Sequence, residues 1–175
     1  MAEGKIYFEA NPFEEIIRSA YETLRVECIG TLFGQKYEKK SRLIWIVESA
    51  HPTQLAERLA DRVSSGCERG DIDILSKNIG GYHSHTMFRK SHITRVSMSS
   101  TDVEYLKETP ENIEIVIGVK KAKIKRKRKN NPLIKACYIS ENGSLYKFEV
   151  GGYYLDKGLK RAEIIVPKKV LNQFK

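Results

Sequence analysis

The chain has 175 residues, 41% of them hydrophobic, and 31 Lys and Arg against 22 Asp and Glu give a formal net charge of +9. That length fits one domain with at most a small appendage, and no apolar run of about eighteen residues is present to span a membrane as a helix. The absence of a signal-peptide pattern and three scattered cysteines (Cys28, Cys67, Cys137) argue for a reduced, cytoplasmic protein rather than a disulfide scaffold.

Taken in order, residues 5–9 read as a short strand. Asn11-Pro12 opens a helix, with Pro at its first position. Phe13, Ile16, Ile17, Ala20 and Leu24 recur at helical spacing and predict its core stripe. Residues 26–37 read as a strand, in which Gly30 and Gly34 predict a bulge or a close backbone approach. Residues 42–49 form a buried strand carrying Trp45, the single tryptophan. A helix is predicted over 54–63, broken at 64–66. A polar passage then leads, through residues 72–79, into the strand that carries His83.

The second half is richer in strand signals. Ser99 caps a predicted helix over 101–107, and Pro110 ends it. Residues 113–119, Ile-Glu-Ile-Val-Ile-Gly-Val, read as a strongly apolar strand. Residues 133–140 and 144–150 flank Asn142-Gly143, which predicts a hairpin. The whole reads as an α+β chain, a mixed sheet with helices on either side. Residues 1–150 would be the main domain and 151–175 a C-terminal extension of unknown role.

Three of the four histidines fall between residues 79 and 106. His83 and His85 are two apart, so in an extended segment both rings lie on one side. Two neutral imidazoles there suit a transition metal such as zinc, which needs a third protein ligand. Asp102 is the natural candidate. It lies in the first turn of a helix, where the dipole favours its ionised form. Ser99-x-x-Asp102 is also a capping box, the ordinary reason for such a pair.

Gly-Tyr-His83-Ser-His85 followed by Ser99-x-x-Asp102 resembles the pattern of the JAMM/MPN+ metalloproteases, and Val26-Glu27-Cys28-Ile29-Gly30 is similar to that family's first catalytic strand. Two departures stand out: Thr86 replaces the usual Pro, and thirteen residues (86–98) separate His85 from Ser99, more than the family usually has. The resemblance implies an MPN fold, a curved mixed sheet flanked by helices, over residues 1–150. It implies Zn2+ on His83, His85 and Asp102, Glu27 as proton carrier, and the Ser99 hydroxyl as an oxyanion partner. The implied activity is a zinc-dependent, deubiquitinase-like isopeptidase acting on conjugates of a ubiquitin-like protein. A non-catalytic MPN scaffold and a nucleic-acid-binding protein are the alternatives.

Two further stretches carry expectations. The loop 86–98 combines apolar and basic residues, and its Phe88 and His92 are candidates for gating the metal site. The run 120–129 contains Lys125, Arg126, Lys127 and Arg128. As a solvated excursion it has no task; as an anion-facing patch it would contact an acidic protein or nucleic-acid phosphates. It lacks the interleaved aromatics that single-strand stacking requires.

Overall fold

The computed structural model describes residues 3–39, 41–53, 56–58, 63–65, 78–85, 96–109, 112–124 and 131–174. The chain order is β1 (Glu3–Phe8), α1 (Ala10–Glu22), β2 (Ile29–Lys39), β3 (Arg42–Pro52), β4 (Ala56–Arg58), β5 (Val63–Ser65), β6 (Asn78–His85), α2 (Ser100–Glu108), β7 (Ile113–Ala122), β8 (Ile134–Glu141), β9 (Ser144–Leu155), β10 (Leu159–Ile165) and α3 (Lys168–Gln173).

Seven of these strands form a ring, β10-β1-β3-β2-β6-β7-β9, which closes because β9 also pairs with β10. β9 makes this possible by its length. Along one edge it pairs with β7, and along the other it pairs first with β8 and then, past Gly151, with β10. β10 in turn runs parallel to β1, with Ile6 opposite Ile164. Closure gives each of the seven strands a neighbour on both sides. β8 lies outside it, and its Tyr138 N–H donates to Phe174 O beyond α3.

Alternation in the strands builds the interior. Ile6 and Phe8 of β1, Trp45 and Val47 of β3, Ile113, Ile115, Ile117 and Val119 of β7, and Phe148 and Val150 of β9 belong to one buried cluster. The α1 stripe of Phe13, Ile16, Ile17 and Ala20 joins it, all four fully buried. Each of the larger three contributes about 1.5–3 kcal/mol of burial. Val96, Leu106, Val116 and Tyr153 are also buried but stand apart from that cluster. Val116 alternates with the inward Ile115 and Ile117, so this smaller layer lies on the other face of the sheet, where α2 approaches β9.

Several expectations hold. The α1 stripe, the buried Trp45, the α2 cap and the Asn142-Gly143 hairpin are as the residues predict; Asn142 and Gly143 both adopt positive φ, 47° and 72°. The β2–β3 register shifts between Phe33 and Gly34, and a Cβ on Gly34 would lie 1.9 Å from Ile46 O. That is the close approach expected of a glycine there.

Others are corrected. The sheet is a closed seven-stranded barrel with three helices among the described residues, not a curved sheet flanked by helices. α1 packs its stripe into the barrel's own core rather than onto one side of an open sheet. The closed barrel is not the architecture that the JAMM/MPN+ resemblance implies. That assignment is therefore unsupported, and with it the metalloprotease and isopeptidase activity on ubiquitin-like conjugates. The helix expected over 54–63 is also absent where the chain is described: Ala56–Arg58 pairs antiparallel with Val63–Ser65. Finally, β2 begins at Ile29, so Glu27 precedes the strand instead of lying within it. Residues beyond 150 complete β9 and supply β10, the stave that closes the ring.

Candidate metal centre

The site is built on β6 and on the start of α2. In β6 the residues Gly81, His83 and His85 share one face, opposite to the buried Tyr82. The parallel register sets them against Glu114, Val116 and Gly118 of β7. On its other edge β6 runs antiparallel to β2, with Ile29 opposite His83. Ser84 and Cys28 lock the strand there: Cys28 N–H donates to Ser84 Oγ at 2.9 Å, and Ser84 N–H to Cys28 O at 3.0 Å. Burial pushes the Cys28 thiol up, with hydrogen bonding to Ser84 as a smaller opposing effect, so it stays protonated.

Asp102 arrives from the opposite direction. Ser99 and Asp102 make the full capping box: Ser99 N–H donates to Asp102 Oδ2 at 2.6 Å, and Asp102 N–H to Ser99 Oγ at 3.2 Å. The box fixes the carboxylate at the positive end of α2. The Ser99 hydroxyl is thus engaged in the cap. The oxyanion role falls with the corrected activity, as does the proton-carrier role of Glu27, which is a buried carboxyl just ahead of β2.

His83, His85 and Asp102 each bring one ligand atom to within 4.8 Å of the others. The two rings are 5.2 Å apart at an interplanar angle of 46°. Nε2 of His83 is buried without a hydrogen-bond partner among the described residues and stands 3.5 Å from Asp102 Oδ2. Two ligands at about 2.0–2.1 Å in a tetrahedral shell lie about 3.4 Å from each other. The His83–Asp102 separation therefore fits an edge of such a shell. A metal ion can be held by these three residues.

The electrostatics favour a cation. On its far side His83 Nδ1–H donates to Glu114 Oε1 at 2.6 Å. Burial works against charge on this ring, but the carboxylates of Asp102 and Glu114 outweigh it and raise its pKa to about 10. Asp102 is likewise opposed by burial, yet His83 and the two Ser99 hydrogen bonds hold it well below the usual carboxylate range. Without metal, His83 is an imidazolium between two carboxylates. His85, 5% exposed, lies beside it with the two ring centres 5.2 Å apart.

Three sequence-derived candidates are thus brought together; Ser99 adjoins them through its capping box with Asp102, and Glu27 is buried just ahead of β2. Phe88 and His92 of the proposed gating loop, and Lys125, Arg126, Lys127 and Arg128 of the basic run, lie outside the described residues. Glu114 was not singled out by its sequence. Its signal was present: a lone carboxylate in an otherwise apolar strand must find a partner if it is buried.

No family model and no curated protein matches the chain. Among solved structures it is similar to the solution structure of protein DSY2949 from Desulfitobacterium hafniense, at 16% sequence identity and a TM-score of 0.57. That match covers 97% of this chain and 98% of the other. At this identity the likeness is one of fold. No helix among the described residues is long and apolar enough to cross a membrane.

Proposed function

We propose that this protein is a metal-binding barrel whose β6 and α2 hold one zinc ion through His83, His85 and Asp102. The observation that carries the proposal is the convergence of three ligand atoms, from two separate elements, within 4.8 Å of one another. Two imidazoles and one carboxylate match zinc better than calcium or magnesium, which favour all-oxygen shells. Three protein ligands leave a fourth position, so the ion would act there as a Lewis acid toward a water or another small ligand. The chain's own contribution is to orient the two rings from one strand and to present an ionised carboxylate from a capped helix start. Buried Cys28 and Cys137 thiols agree with a reducing, cytoplasmic location, in which a histidine and carboxylate site keeps its metal without thiolate chemistry.

The test is metal content and affinity of the full chain. After dialysis against zinc, elemental analysis should give about one ion per chain, and competition with a chromophoric chelator gives the dissociation constant. His85→Ala and Asp102→Asn should each weaken binding by about a hundredfold or more, since each removes one of three protein ligands. Zinc uptake by the double variant His83→Ala, His85→Ala at the parent's stoichiometry and affinity would overturn the assignment.

A further inference from the structure

We infer that Glu114 is a positioning residue of this centre, an inference that rests on the metal reading: its carboxylate holds His83 by Nδ1 and so aims Nε2 at the ion. The ring can be metallated on only one nitrogen while the other keeps its proton, and the hydrogen bond at the protonated nitrogen selects which. An ionised carboxylate only accepts, so the 2.6 Å contact requires the proton on Nδ1. Nε2 is then the nitrogen left for the metal, and it is the one facing Asp102.

The strand pair is shaped to receive this carboxylate. Glu114 is 7% exposed, in a strand whose next five residues are apolar or glycine up to Lys120. It sits opposite Gly81 in the β6–β7 register. A Cβ on Gly81 would lie 2.9 Å from Glu114 Oε2, closer than real contacts allow. The missing side chain at 81 is therefore the space that the carboxylate occupies. Gly81 and His83 are two apart on the same face, so one strand supplies both the room for the carboxylate and the ring that it holds. A bystander glutamate in an apolar strand would turn to solvent; this one is enclosed and bonded to the imidazole Nδ1 of His83.

The consequence is measurable apart from any activity. Glu114→Ala should lower zinc affinity about 10- to 100-fold, the usual effect of losing a partner of a ligating histidine. Glu114→Gln keeps the shape and still offers a carbonyl oxygen to Nδ1–H, so it should stay within about tenfold of the parent. Gly81→Ala displaces the carboxylate without deleting it and should weaken binding in the same direction as Glu114→Ala. Long-range proton–nitrogen correlation spectra of the zinc-loaded, 15N-labelled full chain read the ring directly. The parent should show a protonated Nδ1 on His83, protected from exchange. That protection should be lost in Glu114→Ala and retained in Glu114→Gln. If the parent takes up no zinc, the metal reading fails and the positioning role with it. If the parent binds zinc and Glu114→Ala matches it in affinity and in the His83 spectrum, the positioning role alone is overturned.

Discussion

The phenol of Tyr153 in β9 donates its hydrogen bond to the backbone carbonyl of Val96, 57 residues earlier in the chain. Burial pushes the Tyr153 pKa up, against a smaller opposing pull from Arg161, so the hydroxyl keeps the proton it donates. The Arg161 guanidinium lies 5.6 Å from the centre of the same ring. Val96, itself buried, stands three residues ahead of Ser99. The contact therefore ties the chain to the barrel wall just before it delivers Asp102. Tyr153→Phe should leave that carbonyl unsatisfied and destabilise the protein by about 1–3 kcal/mol in denaturant unfolding. It should also weaken zinc binding, read by chelator competition, because the start of α2 loses an anchor. Unchanged values in both measurements would mean that α2 is placed by its own packing.

Ser99 is expected to matter through stability. Ser99→Ala removes the acceptor for Asp102 N–H and half of the capping box. The expected loss is about 0.5–2 kcal/mol, with a modest drop in metal affinity as the helix start frays. Ser99→Asp, which can still cap, should recover most of the stability. An alanine variant as stable as the parent would show that the cap is redundant.

The two titrating partners give opposite pH limits to the metal-free protein. His83 is raised from 6.5 to about 10, so its contribution to stability is complete below pH 6.5 and is lost as pH rises through about 10. Asp102 is depressed, so its contribution is present above its unfolded value of 3.8 and is lost as pH falls below that. These are two views of one interaction, which is intact between those limits. With zinc chelated, unfolding free energy should decline from pH 6.5 to 10 in the parent and less so in His83→Asn. Zinc must displace the Nε2 proton, so its affinity should rise about tenfold per unit between pH 7 and 9. A flat profile would show that His83 binds metal without releasing a proton.

Gly34→Ala tests the bulge. The added Cβ would meet the Ile46 carbonyl oxygen at 1.9 Å, and a backbone atom in a paired strand cannot step aside as a side chain can. A loss of about 2 kcal/mol or more in unfolding free energy is expected, within the range for forced overpacking. A cost below about 0.5 kcal/mol would mean that β2 and β3 can slide apart locally.

What the residues announced was mostly local. The His83-x-His85 spacing, the Ser99-to-Asp102 box and the α1 stripe each depend on neighbours a few positions away, and each is where it was expected, save that Leu24 of the stripe falls beyond the end of α1 and is only partly buried. Closure of the barrel was not local. It depends on β10 meeting both β1 and β9, and an alternating strand carries the same pattern whether its sheet curls shut or stays open. That is why a likeness confined to a handful of polar positions pointed to the wrong architecture: the spacing of ligands constrains a metal shell, and many scaffolds can present it. Residues 56–58 and 63–65 were misread for a related reason. A short stretch of mixed charge and alanine fits helical spacing, yet here it pairs as two brief strands. Glu114 was passed over because the run around it was weighed as a whole for its apolar character, when its one charged member carried the information.

The position of β10 in the ring has a consequence for the birth of the molecule. Strands emerge from the ribosome in chain order, and the last stave must be threaded between the first and the one just before it. β10 is the partner of one edge of β1 and of Gly152–Leu155 of β9, so without it those backbone groups lack their sheet partner. Pairings so distant in sequence also form slowly. Barrel closure must therefore wait for β10, the last strand to be made. Substitutions in β10 should accordingly be felt first as aggregation during expression, before any defect in the finished protein can be measured.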